Sequence, residues 1–472
     1  MAALAQEITS QTQPCLAPEE LAQWQEDLAG RLERLQQHPE QGLGFIEEQV
    51  RQCTLELQRR IVERAMQTKA DAVEENCPCC QKPLIERKRR VPKTIHSYCG
   101  AVRFYRTHGW CPRCEQWVFP ADAALGLLEN STASPLVQEM CALLVSKMPC
   151  EQAEPVSARV AGIQWSRSTL AREAQRQGDR AMQKRQSLTA PPALQPSLAP
   201  VGLDQPLKPF TLILQIDAWN IRERDDWGQT QPRRQRGEEI KRWHWVYTAT
   251  CFRLEQRCRK GKRRALITER SSVATRQGIE PMIQQLHAEA MRRGLAQAER
   301  VWVIADGAVW IWNAVQDRFA QAIQRLDLFH ANAYLWAVAN QIHPANTAAA
   351  RRWVKPLLQQ LRTDKVLKVI GTLEELKPRL SHAAATAATD AIEYYQNHQT
   401  RMQYAAGEKR GEPVGSGAIE STCRQMQCRM KRCGQFWSTA GDEALLCLET
   451  FWRNDRWELL FPHVAITAVS GN

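Results

Sequence analysis

The sequence predicts an α/β protein in which three hairpin-linked strands open a sheet that continues by alternating helix and strand. Three observations carry that expectation. Apolar runs of strand length recur at 210–219, 243–254 and 264–275, rich in the β-branched and aromatic residues that suit a pleated, half-buried surface. Two further runs, 300–308 and 322–330, each follow a stretch with helical patterning, 278–294 and 309–319. A Pro-, Ala- and Leu-rich segment, 189–209, separates this region from a cysteine-bearing N-terminal part.

Taken in order, residues 1–72 form a predicted helical region. From 18 onward it is rich in Leu, Gln, Glu and Arg, and Ile46, Val50, Cys53, Leu57 and Ile61 recur at steps of three and four. That spacing makes one helix face, suited to packing or dimerisation. Residues 73–120 hold "CPCC" at 77–80 and "CPRC" at 111–114. Cys77 and Cys80 make one C-x-x-C pair, Cys111 and Cys114 the other, and two β-rich runs around a "CG" turn lie between them. Two knuckles flanking a hairpin bring four thiolates to tetrahedral reach, the pattern of a zinc ribbon with one structural Zn²⁺. Reduced core cysteines are the alternative; Cys79 and Cys99 are expected bystanders. Arg87, Lys88, Arg89, Arg90, Arg103 and Arg106 make the same hairpin a candidate DNA contact. Residues 121–188 are expected to be helical. Within them a helix, the turn "AGIQW" and a second helix from Ser166 resemble a helix-turn-helix, although Pro155 disturbs the first helix. The linker 189–209 follows.

Residues 210–330 supply the core strands, 331–411 an all-α insertion and 412–472 a closing helical part. The order β-β-β-α-β-α-β is that of a ribonuclease-H-like core. The expected whole is therefore an α/β ribonuclease-H-like catalytic core with an all-α insertion, preceded by helical and zinc-ribbon DNA-binding regions. Asp217 ends the first apolar run and Asp306 the fourth, so both carboxylates are expected at one sheet edge. Adjacent carboxylates repel, and a divalent cation relieves that cost while generating reactivity. Such a site needs a third acid from a later helix. "PVGSGAIESTC" (413–423) opens a helix with Glu420 in its first turn. Asp442 and Glu443 compete for the role but follow "STAG" and look like helix-start residues.

The chain has 63 Lys and Arg against 51 Asp and Glu, a net charge of +12. That balance favours polyanionic partners. The charge is clustered at 86–90, at 257–264 ("RCRKGKRR") and behind Glu420, where Arg424, Arg429, Lys431 and Arg432 are candidate phosphate contacts. Sixteen cysteines in a long chain without a signal-peptide pattern argue for a reducing cytoplasm rather than a disulfide scaffold. No apolar run is long enough for a membrane span. The expected location is therefore cytoplasmic, associated with the nucleoid.

The stretches "DAWNIRERDDWG", "RWHWVYTATCFRL", "VIADGAVWIW", "LDLFH" and "GSGAIES", with "FWS" beyond it, occur in that order. Together they resemble a bacterial insertion-sequence transposase of the Kra type, among the Mutator-like DDE transposases. The resemblance covers most of the chain from the cysteine region onward. It implies that Asp217, Asp306 and Glu420 are the DDE trio. It also implies that "DLFH" is a D-x-x-H signature whose Asp327 and His330 line or brace the site. Ala218 departs from a glycine that many relatives carry there. The implied activity is DNA strand cleavage and strand transfer with two Mg²⁺ (or Mn²⁺) ions held by the trio. The implied partners are DNA, as terminal inverted repeats and target, and a second copy of the chain on DNA. A non-catalytic, transposase-derived DNA-binding regulator and a ribonuclease-H-like nuclease are the competing readings.

Overall fold

The chain divides into two compact units, one running to Gln177 and taking in the chain again from Phe461, the other Gly178–Leu460, with the helix Arg167–Thr189 crossing the boundary. The computed structural model describes residues 18–37, 42–128, 131–189, 209–224, 229–240, 242–259, 262–345 and 347–462. Nearly all of the Pro-rich linker and the side chains of the basic run 257–264 lie outside the described residues.

In the first unit, α1 (Pro18–Gln36) and α2 (Leu43–Asp71) precede a three-stranded antiparallel sheet of order β1-β2-β3, built from β1 (Ile85–Ser97), β2 (Gly100–Cys111) and β3 (Gln116–Val118). Ser97 pairs with Gly100, leaving a two-residue loop at the expected "CG" turn. Ile95, Val102 and Phe104 form a small core against Val62, Met66 and Ala70 of α2. Of the expected helix face, Cys53 is buried and Leu57 half-buried, while Ile46, Val50 and Ile61 are each more than a third exposed. The sheet covers only the C-terminal half of α2, and there the face one position on from Ile61 does the packing. Next come α3 (Pro120–Ala124), α4 (Pro135–Lys147), α5 (Cys150–Ala161) and α6 (Arg167–Thr189). The Ser134 hydroxyl caps α4 by accepting from the Val137 N–H, and Pro135 follows at the first helical position. Pro155 is accommodated inside α5, which closes on Gly162 in the left-handed conformation at φ 67°.

In the second unit, β4 (Thr211–Arg222), α7 (Thr230–Gln235), β5 (Trp243–Arg259), β6 (Lys262–Thr275), α8 (Ile279–Arg292), β7 (Arg300–Ala305), α9 (Val309–Arg318) and β8 (Ile323–Leu326) build a five-stranded mixed sheet of order β6-β5-β4-β7-β8. β4, β5 and β6 pair antiparallel; β7 and β8 add in parallel. The chain continues through α10 (Leu328–Ile342), α11 (Ala348–Arg362), α12 (Val366–Leu376), α13 (His382–His398), α14 (Ala405–Arg410), α15 (Gly417–Met430) and α16 (Thr439–Arg453). Alternation along β4 sorts its side chains onto two faces. Leu212, Leu214 and Ile216 join one large core with residues of α8 through α13, while Ile213 faces Phe252, Trp302, Ile304 and Ala418 of α15. α15 therefore lies on the face of β4 that also carries Asp217. None of the described helices is long and apolar enough to cross a membrane.

A buried ion pair ties α8 to the C-terminal end of this unit. Arg456 Nη1 and Nη2 donate to the two oxygens of Glu289 at 2.5 and 2.6 Å, and Arg292 Nη1 adds a bond at 2.8 Å. Burial alone would raise the Glu289 pKa, but the bonds and charge of Arg456 outweigh it and hold the carboxyl below its ordinary value. The stability this pair contributes is thus present above the unfolded carboxylate pKa and lost as pH falls through the depressed folded value. Glu289→Ala strands two half-buried arginines, and a loss of about 3 kcal/mol is expected, measurable by denaturant melting at pH 7.

Candidate functional site

Parallel pairing of β4 with β7 runs from Thr211 opposite Arg300 to Gln215 opposite Ile304. Continuing that register by two residues sets Asp217 level with Asp306, which directly follows β7. Asp217 does not end its strand, as the sequence suggested. β4 continues to Arg222, because "WHWVY" of β5 keeps pairing with it as far as Trp243. What ends near Asp217 is β7, so the aspartate stands where the sheet opens. Its Oδ1 accepts the Ala218 N–H at 2.7 Å, and the Cys423 thiol of α15 hydrogen-bonds to it. Burial raises the Asp217 pKa, the charge of Asp306 raises it further, and the net shift is upward. The neighbouring charge thus disfavours the ionised form of Asp217.

Asp306 is held by its backbone as well as its side chain. Its Oδ1 accepts the Ala308 N–H at 3.0 Å, and its carbonyl accepts the Tyr394 hydroxyl of α13 at 2.6 Å. Gly307 has φ +104°, and a Cβ there would lie 3.0 Å from His398 Nε2 and 3.1 Å from the Tyr394 hydroxyl. Both the turn and the close approach of α13 need glycine.

Asp327 caps α10, fully buried, and its oxygens are already engaged. Oδ1 accepts the Phe329 N–H at 2.8 Å; Oδ2 faces His330 Nδ1 at 2.7 Å and the Ser416 hydroxyl at 2.5 Å. Burial pushes its pKa up, but the bonds from His330, Ser416 and Phe329 more than offset this, leaving it lowered. The His330 pKa is raised, chiefly by Asp327 and further by the charges of Asp306 and Glu420. Ser416 Oγ also lies 2.9 Å from Glu420 Oε1. One hydroxyl proton serves one acceptor at a time, so Asp327 and Glu420 compete for it. Asp327, His330 and Glu420 each place a ligand atom within 4.8 Å of the others. Asp217 and Asp306 stand outside this close trio and are coupled to it electrostatically through His330.

Glu420 is placed by a residue that gave no sequence signal beyond being polar in an apolar run. Buried Gln215 of β4 donates Nε2 to the Gly415 carbonyl at 3.1 Å and accepts the Ile419 N–H on Oε1 at 2.9 Å. Its amide thus fixes the start of α15 two residues before Asp217. Arg325 holds the preceding segment: Nη1 donates to the Pro413 carbonyl at 2.9 Å, and its guanidinium lies 3.7 Å over the Trp302 ring. Gln215→Leu keeps the volume but leaves the Ile419 N–H and Gly415 carbonyl unpaired. A stability loss of about 1–3 kcal/mol is expected from melting.

The other acids are spent on structure. Asp442 and Glu443 begin α16, buried, where Arg276 Nε donates to Asp442 at 3.2 Å and Glu443 accepts from Thr275 at 2.8 Å. Of the candidate phosphate contacts, Arg424, Lys431 and Arg432 are exposed. Arg429 is buried, with its guanidinium 5.0 Å from the Trp437 ring centroid, and this removes it from the surface set.

In the first unit the four cysteine sulfurs come together, Cys77 with Cys114 at 3.9 Å and Cys80 with Cys111 at 3.4 Å. All four Sγ atoms lie within 4.8 Å of one another. Tetrahedral Zn–S bonds of about 2.3 Å set S···S edges near 3.8 Å, so the donor set fits one Zn²⁺ closely. The knuckles match in backbone too: Gln81 and Glu115, each directly after the second cysteine of its pair, have φ 59° and 52°. Arg87, Lys88, Arg89, Arg90 and Arg103 are exposed on the hairpin, with Arg87 and Arg89 bonded to Glu75. Arg106 is not a surface contact. Its side chain is 10 % exposed, paired with Asp122 and stacked on the Phe119 ring.

No protein-family model matches the chain, and no similar curated protein is found.

Proposed function

We propose that the protein is a DDE transposase of the bacterial insertion-sequence type, similar to the Kra group of Mutator-like enzymes, cutting DNA and joining its ends to a target. The observation that carries this reading is the β4–β7 register, which levels Asp217 with Asp306 while Gln215 clamps the helix of Glu420 to the same strand. Three antiparallel strands followed by two parallel ones, with a helical insertion ahead of the third acid, support a ribonuclease-H-like core.

The donor set suits Mg²⁺ or Mn²⁺, which prefer carboxylate and water oxygens. Asp217, Asp306 and Glu420 are the residues that would hold two such ions. When bound there, they supply activation of a water or 3′-hydroxyl and stabilisation of the leaving oxygen. Asp327, its oxygens already bonded, braces His330 and Ser416 rather than acting as a ligand. The Ser416 hydroxyl donates its hydrogen bond to one carboxylate or the other and so adjusts the basicity of Glu420. Arg424, Lys431 and Arg432 follow Glu420 toward and beyond the end of α15 and meet the flanking phosphates, a contact without sequence readout. The zinc ribbon with Arg87, Lys88, Arg89, Arg90 and Arg103 contacts the terminal repeats. The working form on DNA joins two copies of the chain, and the site of action is the nucleoid.

The test is cleavage and strand transfer on duplexes carrying candidate element ends with Mg²⁺ or Mn²⁺. Nicks with 3′-hydroxyls at the element boundary, followed by joining to target, are expected. Binding without any cleavage would instead support the regulator reading, and cleavage indifferent to the ends a nuclease.

A further inference from the structure

Phe329 is 64 % exposed although it stands between Asp327 and His330, in the first turn of α10. Its backbone N–H is fixed by Asp327, and the N–H of the preceding residue, Leu328, donates to the Val414 carbonyl at 3.0 Å. One side of the ring is supported by the "PVGSG" turn: a Cβ built on Gly415 would fall 2.5 and 2.6 Å from ring atoms Cδ2 and Cε2. The glycine makes room for the phenyl group against the chain. Val309, 69 % exposed, opens α9 three residues after Asp306. Two exposed apolar side chains thus begin the helices that follow parallel strands β7 and β8, at the same sheet end as the carboxylates. Burial alone does not account for a phenyl ring presented this way beside an acidic group.

We infer that Phe329 is a stacking platform for an unpaired nucleobase next to the phosphodiester the site acts on. The inference rests on the DNA-cleaving reading and extends it: the substrate is a duplex whose end is opened at the scissile step, and the phenyl ring holds the freed base. A flat aromatic serves any base, because every base has a π-face. A ring supported on one side and largely exposed is what such a platform needs. Phe329 is then a positioning residue, acting on the base while Asp217, Asp306 and Glu420 act on the phosphate.

The experiment compares wild type, Phe329→Ala and Phe329→Trp on two element-end duplexes in Mg²⁺, one fully paired and one with two mismatches at the scissile step. Phe329→Ala is expected to slow single-turnover cleavage of the paired duplex roughly ten- to hundredfold and to recover most of that loss on the mismatched duplex. Phe329→Trp should retain activity on both. A 2-aminopurine base at the scissile step, read by fluorescence with Ca²⁺ in place of Mg²⁺, should brighten on binding wild type as it leaves the duplex stack, and brighten less with Phe329→Ala. Equal slowing on both duplexes, or unchanged 2-aminopurine brightening in Phe329→Ala, would overturn the proposal. Wild type that cleaves neither duplex would overturn the parent reading instead.

Discussion

Glu420→Gln is expected to lower both strand cleavage and strand transfer by at least roughly 10²–10³-fold, with DNA affinity at fixed salt unchanged. The substitution is nearly isosteric, and the amide oxygen still accepts from the Ser416 hydroxyl, which now lies 2.9 Å from Glu420 Oε1. The start of α15 should also stay in place, since Gln215 holds it through the backbone of Gly415 and Ile419. What is lost is one negative charge beside His330. Single-turnover cleavage of a labelled duplex measures the rate, and fluorescence anisotropy measures binding. Wild-type rates in this variant would remove Glu420 from the trio and turn attention to Asp327 and His330.

The second large effect concerns the cysteine cluster. Cys111→Ser is expected to abolish stoichiometric zinc and to unfold the region 73–120, because structural zinc is worth on the order of 10–16 kcal/mol in zinc-finger peptides. The three-stranded sheet has little else to hold its end: Cys77, Leu84 and Cys111 are the buried members of their cluster. Metal analysis of the reduced protein and limited proteolysis of this region read the two effects. Cys79→Ser, at an exposed position in the same knuckle, should keep zinc and fold. A reduced wild type without zinc, or Cys111→Ser with one equivalent, would contradict the assignment.

Strand and helix identity was legible because apolar runs, helical periodicity and turn residues agree locally. The three antiparallel strands and the helices between the later ones appear where their patterns place them, although a short helix, α7, stands between β4 and β5 in place of a hairpin turn. Their ends were less legible. β4 outruns Asp217 because its length is set by pairing with β5, a non-local contact. The same limit hid Tyr394, which reaches the Asp306 carbonyl from a helix 88 residues further along the chain. Gln215 could have been noticed as a polar residue inside "LILQID", since a buried amide in such a run needs partners. Arg106 and Arg429 show the opposite error. Basic residues within a charged run read as solvent-facing, yet each packs its guanidinium on an aromatic ring, a use of arginine that charge counting does not distinguish.

The hold of Tyr394 on the Asp306 carbonyl bears on how the protein can be re-engineered. An insertion that enters and leaves a core by two strands of chain often serves as a detachable cassette. Here α13 reaches back to the core, so replacing residues 331–411 by a short linker would also strip a support from the Asp306 backbone. The outer pair, α11 and α12, carries no bond to the aspartates among the described residues. A library confined to the exposed positions of α11 and α12, keeping their buried Val354, Leu357, Val369 and Leu373 in the core and α10 and α13 intact, therefore has room to change surface without moving the aspartates.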